Sequence, residues 1–167
     1  RGGLAVAIPG ELKGLQLLHK KFGTLPWRQL FKPAIKLAKE GVLVSHYFHK
    51  ILKKYAASFR RDSLLNEVFY PNDEVPAIGS KIKQTMLAKS LQMIADKGAN
   101  AFYEGPIANA IIDTIQSAGG VMTLADLKTY KAREIEALSG QYNEVDIYTM
   151  PSPSSGGLIL LQMLDVL

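Results

Sequence analysis

The sequence contains no cysteine in its 167 residues. That absence excludes disulfides, a thiol nucleophile and thiolate metal sites from this segment, although it leaves the cellular compartment open. Long apolar runs are also lacking, since the stretches 108–115 and 158–167 are shorter than the roughly 18 residues of a membrane span. No Asn-x-Ser/Thr glycosylation sequon is present. The composition is 47% hydrophobic and 21% charged, which favours a packed globular domain over long disorder.

The two ends of the sequence lack the features of natural termini. It begins with Arg1 rather than methionine, and no polar residue follows the apolar run 158–167. We therefore expect residues 1–167 to be a single partial domain of a longer chain.

Positive charge is concentrated in the first half of the sequence. Residues 1–83 carry 15 Lys/Arg against 6 Asp/Glu, a net charge of +9, whereas residues 84–167 carry 5 against 9, a net charge of −4. A basic half can bind nucleic acid or an acidic membrane. However, the lysines stand between apolar positions at helical spacing, without interleaved exposed aromatic residues. We therefore favour solvated helix faces and expect no nucleic-acid partner.

Hydrophobic spacing predicts a helix-rich α+β fold. Leu4–Gly10 is predicted to be a short buried strand, and residues 135–139 and 145–150 are predicted to form a hairpin around a turn that bears Gly and Asn. About seven helices are expected between these strands, and a last helix is expected from Ser155 onward. A strand, a helical excursion and a later hairpin are typical of an α+β unit built on one sheet.

Several single residues carry local predictions. Thr24 and Ser45 are predicted N-caps, and Pro33 is predicted to split or kink the helix that contains it. Thr123, with Asp126 three residues later, predicts a capping box. Gly14 lies inside the first predicted helix, where glycine costs about 1 kcal/mol relative to alanine, and this indicates close packing there.

The residues that could carry chemistry do not form a complete catalytic set. His46 and His49 could share a helix face, but no third ligand stands nearby, so we predict surface histidines and no metal site. A Ser-His-Asp triad is discounted because "PSSGG" is not the G-x-S-x-G elbow and every histidine lies far upstream.

The segment "PSPSSGG" allows two interpretations. The hydroxyls of Ser154 and Ser155 and the free N–H groups of a helix start could bind an anion. Alternatively, one of the serines caps the helix while Gly156 and Gly157 allow close packing. No Lys or Arg follows, so the segment is not a P-loop, and we favour the second interpretation.

Three stretches, in register and together covering most of the chain, resemble the gamma-glutamyltransferase family, also called glutathione hydrolases. The first is "AVAIPGELKGLQLLHKKFGTLPWRQLFKPAIKLAKEGVLV", the second is "AFYEGPIANAIIDTIQSAGGVMTLADLKTYKA", and the third is "YTMPSPSSGGLILLQMLDVL". Residues 58–83 resemble the family least.

This resemblance implies a fold and a reaction. Members are N-terminal-nucleophile hydrolases with an αββα sandwich, and a precursor (zymogen) cleaves itself into a large and a small subunit. The freed threonine of the small subunit attacks the gamma-glutamyl amide of glutathione, and water or an amino acid or peptide acceptor resolves the acyl-enzyme. The resemblance implies no cofactor. It also implies a location that is periplasmic, secreted or on the extracellular side of the plasma membrane.

The family's reactive residues do not transfer to this chain. Thr-Thr-His is absent, Arg1 has no motif context for binding the substrate carboxylate, and the family's serine pair belongs to a different motif. We therefore expect a large-subunit segment with no catalytic residue, inactive and poorly soluble or partly molten by itself. Ser154, Ser155, Gly156 and Gly157 remain weak candidates near the substrate site. Two alternatives stay open, an inactive scaffold paralogue and a basic helical nucleic-acid-binding module.

Overall fold

The structure, a computed structural model, describes residues 2–167, which form two compact units divided after residue 131. The larger unit contains α1 (Glu11–Phe22), α2 (Trp27–Glu40), β1 (Val42–Leu43), α3 (His46–Phe59), α4 (Ser63–Phe69), β2 (Lys81–Ile82), α5 (Thr85–Lys97), α6 (Asn100–Tyr103), α7 (Pro106–Ser117) and α8 (Leu124–Thr129). Short 3₁₀ turns occupy Gly3–Ala5 and Pro71–Asp73. The smaller unit contains β3 (Leu138–Tyr142), β4 (Val145–Thr149) and α9 (Gly156–Val166). The helix-rich prediction is therefore confirmed, whereas the single partial domain over residues 1–167 stays a prediction.

The segment between β1 and β2 has a core of its own. The two strands pair antiparallel, with Val42 opposite Ile82. The buried residues of this core are Val44, Leu52, Tyr70 and Ile82. The Tyr70 hydroxyl donates to the Leu52 carbonyl at 2.8 Å, so the buried phenol is satisfied. Burial raises the pKa of Tyr70, and the nearby Arg60 guanidinium partly opposes that shift.

A second core joins the start of the chain to helices α6, α7 and α8. Its buried residues are Tyr103, Ala108, Ile112 and Leu127. Tyr103 stacks on Tyr130 with a centroid distance of 6.2 Å. The aromatic pair Phe102 and Tyr103 fills this core, since Tyr103 is buried and Phe102 packs against the same cluster.

Helices α2 and α5 pack against each other and are joined by polar contacts. The Trp27 indole N–H donates to the Ile94 carbonyl at 3.1 Å. Arg28 pairs with Asp96 at 2.8 Å, although both side chains are largely exposed and such pairs contribute little stability. The indole bond therefore fixes the contact between the two helices more firmly than the ion pair does.

Two predictions about this unit are wrong, and a third is wrong in part. Residues 4–10 form no strand, because no strand in the described residues lies alongside to form a ladder; a 3₁₀ turn at Gly3–Ala5 is followed by residues without regular secondary structure. Helix α2 begins at Trp27 with Pro26 as its N-cap residue, so Thr24 is not the cap. The same helix is not split at Pro33 and runs through it to Glu40, whereas the alternative of a kink there stays a prediction.

The predicted caps at two other helices are confirmed. Ser45 Oγ accepts from the Phe48 N–H at 3.1 Å at the start of α3. Thr123 and Asp126 form a reciprocal capping box at α8. The contacts from Thr123 to the Asp126 carboxylate lower the pKa of Asp126. Gly14, by contrast, is not closely packed, since a Cβ added there would meet no atom within 4 Å.

Candidate functional site

The β3–β4 hairpin positions the "PSPSSGG" segment. Strand β3 pairs antiparallel with β4 from Leu138 opposite Thr149 to Tyr142 opposite Val145. Asn143 and Glu144 form the connecting turn with φ values of 46° and 65°. Such two-residue turns with positive φ match the twist of the strands and fix their register. The first strand therefore lies further along the chain than the predicted 135–139.

A short turn leads from the end of β4 into α9. The Ser154 N–H donates to the Pro151 carbonyl at 3.2 Å, and the peptide bond between Ser152 and Pro153 is cis. The Ser155 carbonyl accepts from the Ile159 N–H at 3.0 Å, which starts the helical ladder. The turn thus reverses the chain so that α9 returns toward the hairpin, and α9 contacts β3.

Of Gly156 and Gly157, only Gly157 lies in the close packing that was predicted for both. A Cβ at Gly157 would lie 2.2 Å from the Met150 carbonyl oxygen and 2.7 Å from Thr149 Oγ1, so only glycine fits there. At Gly156 the nearest such atom, Ser154 Oγ, would be at an ordinary 3.8 Å. A Cβ at Gly140 on β3 would meet Leu161 of α9 at 2.8 Å. Close packing of α9 on the hairpin therefore depends on Gly157 and Gly140.

The serines do not cap α9. Ser155 occupies the N-cap position in helical backbone geometry and its side chain makes no capping hydrogen bond. This corrects the capping prediction, because a capping side chain needs an extended N-cap backbone to reach the second or third helical N–H. Ser154 and Ser155 are both exposed. Their placement near a substrate site, together with Gly156 and Gly157, stays a prediction.

Two of the three histidines form hydrogen bonds with backbone carbonyls, and the third is exposed. His19 Nε2 donates to the Leu25 carbonyl at 2.8 Å, and His49 Nδ1 donates to the Pro76 carbonyl at 2.8 Å. His46 is exposed at the start of α3. Among residues 2–167 no group of three or more His, Cys, Asp or Glu side chains could hold a metal ion. The described residues thus contain no assembled base or metal for the exposed serines.

Tyr103 forms a polar contact whose role the sequence did not reveal. Its hydroxyl, on α6, reaches the backbone at the start of α1. Lys13 lies over the same ring, with Nζ 4.9 Å from the ring centroid and 2.7 Å from Asn100 Oδ1. Burial raises the pKa of Tyr103, while the hydrogen bond from the Lys13 backbone acts in the opposite direction. The contact joins residues about 90 positions apart, so no local pattern could have predicted it.

Two apolar cavities lie in the larger unit. One of about 590 Å³ is bounded by α1, α2 and the connection between them, with Phe22, Trp27 and Phe31 among its walls. The other, of about 670 Å³, lies between α5 and α7 and includes Lys89, Ser90 and Thr114. Ser90 and Thr114 donate to carbonyls of their own helices, so neither hydroxyl proton is free to donate to a small ligand there.

Helix α9 exposes apolar residues on its outer side. The exposed residues are Leu158, Ile159, Leu160, Met163, Val166 and Leu167. A helix that is apolar all round is normally covered by other parts of a protein. Within residues 2–167 no helix is both long enough and apolar enough to cross a membrane.

The fold and the site together define a helix-rich scaffold with an attached hairpin–helix unit and no assembled catalytic set in the described residues. The family model described as gamma-glutamyltranspeptidase matches residues 1–167. The chain belongs to the gamma-glutamyltranspeptidase family.

Two of its relatives are named glutathione hydrolase proenzymes. The chain is 41% identical to the glutathione hydrolase proenzyme of Bacillus subtilis strain 168 over 99% of its length, which is 28% of that protein. It is 38% identical to the proenzyme of Escherichia coli K12 over 98% of its length, again 28% of the relative. The chain therefore spans little more than a quarter of these relatives.

Solved structures match the whole described fold. The gamma-glutamyltranspeptidase of Helicobacter pylori superposes with a TM-score of 0.94 at 35% identity, over 99% of this chain and 48% of that one. The Bacillus anthracis transpeptidase CapD superposes with a TM-score of 0.86 at 36% identity, over 95% of this chain and 54% of that one. The fold of this chain is thus shared with structures about twice as long.

Proposed function

We propose that the protein containing this chain is a gamma-glutamyltransferase that cleaves the gamma-glutamyl amide of glutathione. The gamma-glutamyl group is transferred to water or to an amino acid or peptide acceptor. The match of the family model to residues 1–167 is the observation that carries this proposal. The superposition on the Helicobacter pylori enzyme supports it, because the likeness extends over the whole chain.

In this proposal the nucleophile is a threonine outside residues 1–167. Its hydroxyl oxygen attacks the amide carbon, the C–N bond breaks, and the amine leaves with a proton. Water or the acceptor amine then attacks the resulting ester and regenerates the hydroxyl. Three of the six threonines of this chain support an outside nucleophile, because Thr114 and Thr129 donate to carbonyls of their own helices and Thr123 donates to Asp126.

The partner of this segment is the small subunit of the same precursor, which is released by self-cleavage. Two features support this. A lone two-stranded hairpin is marginal in water, so β3 and β4 need further strands beside them. The apolar outer side of α9 needs a cover. An αββα sandwich meets both needs, because the hairpin then extends a larger sheet and α9 belongs to a layer of helices.

The "PSPSSGG" turn has a positioning role in this proposal. Gly157 and Gly140 allow α9 to lie close to the hairpin, and the turn sets where α9 begins. The hydroxyls of Ser154 and Ser155 take no part in the chemistry. The protein acts outside the cytoplasm, in the periplasm, in secreted form or on the outer cell surface, where it meets exported gamma-glutamyl compounds.

The proposal is tested with the complete protein and a chromogenic gamma-glutamyl anilide, with and without a dipeptide acceptor. We expect anilide release, faster with the acceptor, and a gamma-glutamyl adduct that peptide mapping places outside residues 1–167. Ser154→Ala and Ser155→Ala should each leave turnover unchanged within about twofold, as expected for exposed groups without a role in the transition state. An adduct on Ser154 or Ser155 would refute the outside nucleophile. A folded, complete protein without turnover would instead identify an inactive scaffold paralogue.

A further inference from the structure

The outer side of α3 carries a concentrated positive charge. Lys50, Lys53 and Lys54 are exposed on the helix, and Arg61 is exposed just after its end. We call these four residues the α3 basic face. With 3.6 residues per turn, Lys50 and Lys54 lie one turn apart on one side, and Lys53 lies beside them. The set extends over about 16 Å along the helix direction.

No acidic residue interrupts this run of positive charge. Residues 41–61 contain no Asp or Glu. The next acidic residue, Asp62, uses its carboxylate to accept from the N–H groups of Leu64 and Leu65 at the start of α4. Two ion pairs join Arg28 to Asp96 and Lys128 to Glu104, and neither involves a residue of α3. The α3 basic face is therefore not neutralised within the described residues.

The opposite side of α3 holds the helix firmly. Leu52 is completely buried, and Phe48, Ala56 and Phe59 pack against the same core. Tyr70 comes directly after α4, and its hydroxyl donates to the Leu52 carbonyl. This bond ties the middle of α3 to α4. The α3 basic face is thus presented outward by a fixed helix rather than by a mobile tail.

Aromatic residues accompany these charges, contrary to the expectation from the sequence. Tyr47 is 75% exposed, and Tyr55 is 42% exposed with Lys54 Nζ 5.1 Å from its ring centroid. Tyr47 precedes Lys50 by three residues and Lys54 by seven, so it lies on the same side of the helix. The exposed apolar side chains of Val42 and Leu43 come just before α3. Tyrosine, lysine and flanking apolar residues are the composition of protein surfaces at the membrane–water interface.

We propose that the α3 basic face docks onto an anionic phospholipid membrane surface. A convex helix side fits a broad surface better than a small ligand, and the two apolar cavities described above contain no α3 residue. Four unpaired basic side chains reach the number that is typical of binding to anionic lipid headgroups. Tyr47 supplies an amphipathic ring for the headgroup layer. This docking is peripheral and independent of the proposed transferase activity.

The test measures binding of the purified complete protein to phosphatidylcholine vesicles with and without phosphatidylglycerol. We expect binding only to the anionic vesicles, with a steep decrease as salt is raised. The triple variant Lys50→Gln, Lys53→Gln, Lys54→Gln should lower the partition coefficient about 100-fold, since each basic residue near an anionic surface contributes about fivefold. Tyr47→Ser should weaken binding further without changing the net charge.

A second triple variant provides the matched control. Lys32→Gln, Lys36→Gln and Lys39→Gln on α2 remove the same charge from exposed positions of the same unit. Binding close to that of the unchanged protein is expected for this control. An equal loss of vesicle binding in both triple variants would overturn the proposal, because net charge alone would then explain the binding. Equal binding to vesicles with and without phosphatidylglycerol would also overturn it. So would binding to nucleic acid that depends more strongly on the α3 lysines than binding to vesicles does.

Discussion

The Tyr103 hydroxyl donates to the Pro9 carbonyl at 2.7 Å and accepts from the Lys13 backbone N–H at 3.1 Å. Lys13 is the third residue of α1, and its N–H is one of those that a helix start leaves without a partner. Gly10, the N-cap residue, has no side chain to supply one. A tyrosine from α6 therefore caps α1 from a distance of 90 residues in sequence.

Tyr103→Phe is expected to lower the free energy of unfolding of the larger unit by about 1–3 kcal/mol, because both backbone groups lose their partner. Trp27 is the single tryptophan and lies in this unit, so its fluorescence during urea unfolding provides the measurement. Tyr47→Phe removes a hydroxyl from an exposed ring and should be neutral. Equal stabilities for Tyr103→Phe and Tyr47→Phe would show that the remote cap has no energetic role.

Stability should fall at alkaline pH. Burial raises the pKa values of Tyr70 and Tyr103 in the folded state above the unfolded value of about 10. The folded protein therefore holds these protons more tightly, and their contribution is fully present below pH about 10 and lost as pH rises through the folded pKa values. The urea concentration at the midpoint of unfolding should decrease as pH rises through this range, and it should decrease less steeply in Tyr103→Phe. An identical slope in that variant would contradict the assignment.

The glycine pair that begins α9 offers a matched comparison. Gly157→Ala forces a methyl group against the Met150 carbonyl and should destabilise the hairpin–helix unit by about 1–3 kcal/mol. Gly156→Ala meets only Ser154 Oγ at an ordinary 3.8 Å and should be neutral, or stabilising by less than about 1 kcal/mol. Hydrogen exchange of the β3 and β4 amides reports the difference. Equal protection in the two variants would mean that α9 does not need the close approach at Gly157.

Gly14→Ala should stabilise the larger unit by up to about 1 kcal/mol, because the position is helical and the added methyl group meets no atom. Gly3→Ala should do the reverse, since a Cβ there would lie 2.2 Å from the Ile115 carbonyl oxygen. Thermal unfolding of both variants provides the check. A destabilised Gly14→Ala protein would point to a neighbour of α1 outside residues 2–167.

At acid pH the capping box of α8 should open. The Thr123 hydroxyl and N–H both donate to the Asp126 carboxylate and hold the pKa of Asp126 below its usual value. The contribution of this carboxylate is therefore present above the unfolded pKa of about 3.9 and is lost as pH falls through the folded pKa. In Asp126→Asn the free energy of unfolding should depend less on pH in the acid range. An unchanged pH dependence in this variant would exclude a role for the cap in acid sensitivity.

Much of the helical layout was predictable because its signals are local. Ser45 and the Thr123–Asp126 pair mark helix starts through contacts within a few residues, and the structure confirms both. The hairpin was also predicted, but its register was set by positive φ at Asn143 and Glu144, which the sequence signals only weakly for a glutamate. Family membership was predictable from three long matching stretches rather than from any one residue.

The remainder depends on contacts between distant residues. The strand expected at 4–10 has the right side chains but no partner strand in the described residues, and the short β1–β2 pair joins residues 40 apart. The capping by Tyr103 and the exposure of Tyr47 likewise depend on how helices pack. At the candidate site, the close approach of Gly157 was predicted, whereas the capping role of Ser154 or Ser155 was wrong because the backbone at Ser155 is already helical.

The β1–β2 ladder has a consequence for how this family can vary. Because Val42 lies opposite Ile82, the chain leaves and re-enters the scaffold at neighbouring points, and Val44 continues the pairing through its bonds with Ser80 and Gly79. Everything between packs on a core of Val44, Leu52 and Tyr70, to which Ile82 of β2 also contributes. We therefore expect residues 44–80 to tolerate changes of length or surface while the helices on either side keep their places, provided that the contacts with Ile82 remain.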